Sequence, residues 1–223
     1  MKIVCLTEGG QEFGYGHIIR CVSIAQAFEE FSWQVDFVID ADHDVTDLLA
    51  GFAHRICNWR KGINLDDYSL VIVDSYAANY AELITVIKGK PVLFFDDYNR
   101  SDYPTGSWIV NACPKVSVEF YESDVGILTG TKYLPLRKSF WDIKPSKTDF
   151  SSNINEIFVM FGGGDTQNFV PTTLFKIFEL FPQAAVNLVQ GKHSKSLKES
   201  FSLSECNERL KVEVQPDINK LLM

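Results

Sequence analysis

The chain has 223 residues, of which 46% are hydrophobic and 22% are charged. This length suits one large or two small domains, and the composition excludes disordered and fibrous proteins. The formal net charge is -8 at pH 7, which argues against nucleic acid or an anionic membrane surface as a partner.

The cysteines are odd in number and form no C-x-x-C pair: Cys5, Cys21, Cys57, Cys113 and Cys206. This pattern favours buried thiols in a reducing cytosol over disulfides or a zinc site. The first residues enter a strand-like run without a signal-peptide pattern, and no apolar run approaches the length of a membrane span. We therefore expect a cytoplasmic protein with no membrane span and no bound metal.

A glycine motif, Gly14-Tyr15-Gly16-His17, separates the first predicted strand, Ile3–Leu6, from a predicted helix over residues 17–30. Glycines permit a tight turn and close approach to a ligand. The N–H groups of a helix start attract anions, and histidine exchanges protons near neutral pH. The motif therefore predicts an anion-holding loop with a general base at the mouth of a crevice. A helix-capping or surface role for His17 is the alternative.

The motif does not match the dinucleotide fingerprint, because Ile19 stands where that fingerprint has its third glycine. Beyond it, strand and helix patterns alternate, which predicts an α/β fold with a parallel sheet and helices on both faces. The predicted strands are residues 33–39, 70–73, 91–95 and 108–110, and the predicted helices are residues 44–51 and 80–88.

Three of these strands end in polar residues: Asp74, then Asp96 with Asp97, and Asn111. In open α/β sheets, ligands bind in the crevice beyond the carboxyl ends of the strands. Each of these residues also fits a loop or a helix cap when taken alone. Their common edge, rather than any single residue, predicts the site.

The chain becomes polar from residue 144 to residue 153, which predicts a linker. We expect an N-terminal Rossmann-like domain over residues 1–145 and a nucleotide-binding Rossmann-like domain over residues 150–223, about half the usual domain length. Its predicted strands are residues 157–161, 185–189 and 210–214, and its helices are residues 170–180, 194–201 and one from residue 217.

Five motifs then occur in a characteristic order: Gly14–Cys21, Val73–Tyr76, Phe95–Asp97, Tyr133–Arg137 and Phe161–Asp165. Together they resemble the nucleotide-sugar hydrolases of pseudaminic acid biosynthesis, which remove UDP from a diacetamido-trideoxy hexose. The same group includes spore coat polysaccharide biosynthesis proteins. It is similar to the GT-B glycosyltransferases with two Rossmann-like domains, such as the one that makes lipid II.

The resemblance implies a GT-B-type α/β fold whose second domain is incomplete here, and a UDP-sugar substrate with no cofactor. His17 matches the catalytic histidine that activates water, and Tyr76 matches a tyrosine near the sugar. The expected substrate-binding residues are Gly14, Tyr15, Gly16, Arg20, Tyr76, Asp97 and Arg137. The expected nucleotide-binding residues are Gly162, Gly163, Gly164 and Asp165, although this loop also fits a simple tight turn.

The chain departs from the family pattern in three places. The run Leu6-Thr7-Glu8-Gly9-Gly10 replaces the family's Arg-x-Asp-x-Ser, which predicts different sugar contacts. Gly164 stands where threonine is common. The segment that grips uridine and ribose would follow Met223, so we expect either a fragment of a longer protein or an incomplete nucleotide site.

Three functions therefore stay open. The first is a hydrolase in surface glycan synthesis, with His17 as general base for water. The second is a GT-B glycosyltransferase that uses the same histidine to deprotonate an acceptor alcohol. The third is a non-catalytic UDP-sugar binding protein. The sequence leaves open which sugar is bound, the stereochemical outcome and the oligomeric state.

Overall fold

The computed structural model describes residues 1–10, 13–99, 102–121, 124–143, 153–162, 169–191 and 208–214. The chain divides between Trp141 and Asp142 into two compact units. This division lies just ahead of the predicted linker, whose residues 144–152 fall outside the described ranges. Each unit has a parallel sheet and a hydrophobic core of its own.

The first unit combines parallel strands with two α-helices among its described residues, and 3-10 turns or loops connect the remaining strands. In chain order its elements are β1 (Lys2–Gly9), α1 (Gly16–Glu29), β2 (Gln34–Ala41), β3 (Ala53–Ile56), β4 (Leu70–Asp74), α2 (Tyr80–Ile87), β5 (Val92–Phe95), β6 (Trp108–Asn111) and β7 (Gly126–Thr129).

These strands form a seven-stranded sheet in the order β3-β2-β1-β4-β5-β6-β7, and each neighbouring pair is parallel. The chain order reverses between β1 and β4, which is where open α/β sheets bind ligands. The central strand β1 is buried on both faces, and its run Ile3–Leu6 has no exposed surface. Continuous apolar runs are typical of such doubly covered strands.

The two faces of this sheet carry separate cores, because side chains alternate along each strand. On one face, Ile3 and Cys5 of β1 pack in a cluster with α1, which contributes Ile18 and Cys21. On the other face, the cluster contains residues of α2 together with the fully buried Trp59. The predicted arrangement of helices on both faces is therefore confirmed.

The second unit, as far as it is described, is a smaller parallel sheet with one helix. Its elements are β8 (Glu156–Met160), α3 (Phe169–Leu180), β9 (Ala185–Gln190) and β10 (Leu210–Val214), and the strand order is β10-β9-β8. Val159 of β8 and Leu174 of α3 belong to its core. The helices predicted over residues 194–201 and from residue 217 lie outside the described residues.

The structure corrects the sequence analysis in two respects. The helix predicted over residues 44–51 is wrong: only a 3-10 turn forms, at Thr46–Leu48, because Ala50 and Gly51 take left-handed φ values of 52° and 87°. Two strands, β3 and β7, were not predicted. Both are edge strands of four residues, and β3 is exposed along its whole length, so neither has a continuous apolar run.

No helix among the described residues is both long enough and apolar enough to cross a bilayer.

The burial of Trp59 leads to a stability prediction. This side chain has no exposed surface, and its indole N–H donates to the carbonyl of Thr7 in β1 at 2.8 Å. We expect Trp59→Ala to lower the free energy of unfolding by about 3–5 kcal/mol, through the cavity and the lost packing. Urea unfolding of the full chain measures this.

The matched control is Trp108→Ala, because Trp108 is 51% exposed. We expect it to change the free energy of unfolding by no more than about 1 kcal/mol. Equal losses in the two variants would show that Trp59 has no special place in the core.

Candidate functional site

The loop between β1 and α1 is fixed by backbone hydrogen bonds. The N–H of Gly10 donates to the carbonyl of Gly14 at 2.9 Å, and Gly14 has a left-handed φ of 72°. The N–H of Ile19 donates to the carbonyl of Tyr15 at 3.1 Å, which begins α1 at Gly16. The glycine motif therefore forms the predicted strand–loop–helix connection, with Gln11 and Glu12 outside the described residues.

Tyr15 anchors this loop through its side chain. Its hydroxyl is hydrogen-bonded to Nε2 of His43 at 3.0 Å, and the two rings meet edge to face. Burial, followed by the charge of Asp42, raises the pKa of Tyr15. Tyr15 therefore has a structural contact, and its predicted contact with substrate stays a prediction.

His17 lies in the first turn of α1 and is paired with Asp74, the last residue of β4. Nδ1 of His17 is 2.7 Å from Oδ1 of Asp74. A histidine that donates from Nδ1 to a carboxylate is held in the tautomer whose Nε2 can accept a proton. No described residue is hydrogen-bonded to that Nε2. The pair thus has the arrangement of a general base with an orienting carboxylate.

The expected exposure of His17 is wrong. The sequence predicted a residue at the crevice mouth with little buried surface, whereas His17 is 8% exposed and Asp74 has no exposed surface. The reason is the sheet topology: β1 and β4 are neighbours, with Thr7 opposite Asp74, so the start of α1 covers the end of β4.

Arg20, one turn further along α1, joins two carboxylates. Its Nε and Nη2 donate to the two oxygens of Asp74 at 2.6 and 2.7 Å, and its Nη1 donates to both oxygens of Asp97 at 2.9 Å. Burial alone would lower the pKa of Arg20, but the bonds and charges of the two carboxylates raise it above its usual value. Arg20 therefore holds the two carboxylates in place, and its direct contact with substrate stays a prediction.

Tyr76 completes this network. Its hydroxyl donates to Oδ2 of Asp97 at 2.5 Å, and its ring meets the ring of His17 edge to face, with 4.4 Å between centroids. Burial, followed by the hydrogen bond and charge of Asp97, raises the pKa of Tyr76 well above its usual value. The phenol therefore stays protonated and acts as a donor.

The same contacts set the charge state of Asp97. Burial alone would raise the pKa of this carboxyl, but the hydrogen bonds from Tyr76 and Arg20, together with the charge of Arg20, outweigh it and lower the pKa. The buried cluster then holds two carboxylates, Asp74 and Asp97, against one guanidinium. It therefore carries one net negative charge when His17 is neutral.

Glu8 is a buried carboxylate that the sequence analysis did not assign to the site. Glu8 accepts from the backbone N–H groups of Tyr76 and Ala77 at 2.5 and 3.0 Å. From its place in β1, Glu8 thus fixes the loop after β4. One signal in the sequence pointed to Glu8: it lies in the run Leu6–Gly10, which differs from the Arg-x-Asp-x-Ser of the hydrolases that the sequence resembles.

Among the described residues of the first unit, the predicted Arg137 does not join this network. Arg137 lies beside Lys138, whose backbone N–H donates to Gln26 in the C-terminal half of α1, and the Arg137 guanidinium lies over the ring of Phe140. In the second unit, Gly162 follows β8 with a left-handed φ of 68°. Gly163, Gly164 and Asp165 lie outside the described residues.

Within the described part of the chain, no group of three or more histidine, cysteine, aspartate or glutamate side chains is arranged to hold a metal ion. The described cysteines are free thiols, of which Cys5 and Cys21 are buried.

Comparison with known proteins gives one curated relative of limited coverage. No protein-family profile matches the chain. The chain is 28% identical, over 211 residues, to the uncharacterized protein MJ1062 of Methanocaldococcus jannaschii, covering 86% of this chain and 43% of that protein. The chain thus spans less than half the length of this relative.

Comparison of the structure identifies the fold. It is similar to the glycosyltransferase SnogD from Streptomyces nogalater, with a TM-score of 0.55, 15% identity, and coverage of 97% of this chain and 72% of that chain. It is also similar to S. aureus MnaA in complex with UDP, with a TM-score of 0.51, 10% identity, and coverage of 99% and 70%. At these identities the likeness concerns the fold alone, and it confirms the predicted α/β class of GT-B type.

The lowered pKa of Asp97 predicts how acid affects stability. Because this pKa lies below the unfolded value of about 3.9, the unfolded chain binds more protons, so the contribution of Asp97 is complete above that value. It is lost as the pH falls through the folded pKa. We expect Asp97→Asn to lower stability at neutral pH and to flatten the fall in unfolding free energy as the pH drops below about 5.

Urea unfolding at a series of pH values measures this slope. The control is Asp67→Asn, which removes an exposed carboxylate from the loop before β4. The prediction is contradicted if the free energy of unfolding falls with pH at the same slope in Asp97→Asn, in Asp67→Asn and in the unchanged chain.

Proposed function

We propose that the chain is a nucleotide-sugar hydrolase whose catalytic residues lie in its first unit. The substrate is a UDP-linked diacetamido-trideoxy hexose in the synthesis of a surface glycan such as pseudaminic acid. The single observation that carries the proposal is the buried His17–Asp74 pair at the carboxyl edge of the sheet. The motif order around His17 and the GT-B-type fold support a sugar nucleotide as the substrate.

The reaction is water attack at the anomeric carbon. His17 Nε2 takes a proton from water as the water oxygen bonds to that carbon. The bond between the carbon and the phosphate oxygen breaks, and its electron pair leaves with UDP. Asp74 keeps the imidazole in the accepting tautomer, and the Tyr76 ring limits its rotation from the side.

The charge of the cluster favours this proton transfer. Two carboxylates face one guanidinium, so the neutral-histidine state carries one net negative charge. When His17 becomes an imidazolium, that charge is balanced. Arg20 acts as a positioning residue in this scheme, since it holds Asp74 and Asp97 at fixed places on either side of it.

The leaving UDP needs its charge held while the bond breaks. In this proposal the backbone N–H groups at the start of α1 hold the phosphates. The glycine loop Gly162–Asp165 of the second unit stays a proposed nucleotide-binding segment. Gly14 and Gly16 serve this role in the first unit, since a Cβ at either position would meet open space. This leaves room for a ligand against the backbone there.

A GT-B glycosyltransferase is the second candidate, supported by the likeness of the fold to SnogD, which is a glycosyltransferase. There, His17 would take the proton from an acceptor hydroxyl rather than from water. A non-catalytic UDP-sugar binding protein is the third. Assays of UDP release separate these: hydrolysis needs only water, transfer needs an added acceptor sugar, and a binding protein gives neither.

The test is the release of UDP from a panel of UDP-acetamido sugars by the full chain. Release without an acceptor supports hydrolysis, and release that requires an acceptor supports transfer. The hydrolase proposal is contradicted if UDP-sugars bind, as measured by calorimetry, and none of them is turned over.

The His17–Asp74 pair predicts the effect of His17→Asn on catalysis. We expect the variant to lose about 10²–10⁴-fold in turnover, because it removes the general base. Since His17 is buried and bonded to Asp74, we also expect a loss of about 1–3 kcal/mol in stability. Steady-state kinetics and urea unfolding measure the two effects.

The control is His54→Asn, on the exposed edge strand β3. It should keep its turnover, because His54 bonds only near its own strand, to Thr46 and Phe52. A folded His17→Asn variant with unchanged turnover would remove His17 from the mechanism.

A further inference from the structure

Three aromatic rings lie in a row at the carboxyl edge of the first unit's sheet. The ring of His17 contacts that of Tyr76, and the ring of Tyr76 lies 6.0 Å from that of Tyr98, at a tilt of 59°. Their exposed fractions rise along the row, from 8% at His17 through 41% at Tyr76 to 68% at Tyr98. The row therefore leads from the proposed base out to solvent.

A buried carboxylate of β1 holds the backbone that carries the first exposed ring. Glu8 has no exposed surface and accepts from the backbone N–H groups of Tyr76 and Ala77. It also accepts from the hydroxyl of Ser75, and Arg60 approaches it at 3.4 Å. The backbone of Tyr76 is thus fixed before any ligand binds.

The second exposed ring is held in the same way. Asp96, at the end of β5, has no exposed surface and accepts from the backbone N–H of Asn99 at 2.6 Å and from the hydroxyl of Tyr121 at 2.6 Å. Asn99 takes a left-handed φ of 53°, and its side chain donates to the carbonyl of Phe120 at 2.6 Å. The backbone from Asp96 to Asn99, which carries Tyr98, is therefore also fixed.

These contacts order two large rings that stay exposed to water. Tyr76 already has a role in the proposed site, through Asp97 and His17, whereas nothing in the proposed reaction uses Tyr98. Tyrosine offers a large, rigid contact surface at little cost in conformational entropy, and binding sites combine such surfaces with a few fixed polar groups. The C–H-rich face of a pyranose ring is a ligand surface of matching size and polarity.

We infer that Tyr98, together with Tyr76, forms the docking surface for the hexose ring of the substrate, and that Tyr98 is a specificity residue. This inference rests on the proposed function for its orientation, because the sugar must present its anomeric carbon to His17. The sugar then packs its C–H face on the two tyrosines. Its polar groups stay free for the remaining contacts.

The test uses N-acetylglucosamine as a free monosaccharide, which contains no nucleotide. Saturation-transfer NMR titrations compare the full chain with Tyr98→Ala, Tyr98→Phe and Phe31→Ala. We expect Tyr98→Ala to weaken monosaccharide binding by about 3- to 10-fold, and Tyr98→Phe to change it by less than about 2-fold, since the ring face is kept.

Phe31 is the matched control, because it is 69% exposed and has a ring neighbour, Trp33, at 5.7 Å, but it lies just beyond the C-terminal end of α1. Phe31→Ala should leave monosaccharide binding unchanged. Equal binding by Tyr98→Ala and the unchanged chain would overturn the inference. So would a loss in Phe31→Ala as large as that in Tyr98→Ala.

A parallel titration with UDP alone separates the sugar from the nucleotide. We expect the affinity for UDP to be the same in Tyr98→Ala and in the unchanged chain. If Tyr98→Ala loses affinity for UDP but not for the monosaccharide, Tyr98 stacks on uracil and the inference is overturned. The proposed function fails separately. Monosaccharide binding that depends on Tyr98, without any turnover of UDP-sugars, would keep the docking surface and reject the hydrolase.

Discussion

The site depends on one buried carboxylate. Asp74 has no exposed surface and accepts from His17 and from two nitrogens of Arg20. A buried charge without such donors destabilises a fold by several kcal/mol, so the donors must be supplied. His17 and Arg20, which supply these donors, lie in the first turns of α1. Their bonds to Asp74 therefore fix the position of the helix relative to β4. The orientation of His17 and the reach of Arg20 to Asp97 follow from it.

Much of the fold could be predicted because its strands are covered on both faces. β1 and β4 appear in the sequence as short continuous apolar runs, and α1 has apolar residues at helical spacing. The elements that were missed or wrong carry no such signal. β3 is an exposed edge strand, and the turn at Thr46–Leu48 ends where two successive residues take left-handed φ values.

The place where these side chains meet could also be predicted, but their hydrogen bonds could not. The glycine motif and the polar strand ends indicate the edge of the sheet at which His17, Arg20, Asp74 and Asp97 come together. The bonds themselves join residues 57, 54 and 77 positions apart, as in His17 to Asp74, Arg20 to Asp74, and Arg20 to Asp97. Only the strand order brings these together. For the same reason the sequence predicts that Arg20 binds the substrate, whereas its partners among the described residues are the carboxylates of Asp74 and Asp97.

The register of β4 against β1 has a further consequence. Thr7 lies opposite Asp74, and a slip of two residues would keep every apolar side chain of β4 on its own face. Apolar packing alone therefore discriminates poorly against that slip. It would nevertheless move Asp74 by about 7 Å along the strand, away from both of its donors. The ionic cluster thus selects one strand alignment, because a misregistered sheet would leave the Asp74 carboxylate buried without its donors. The contacts that orient the imidazole of His17 therefore also favour the native pairing of β1 with β4.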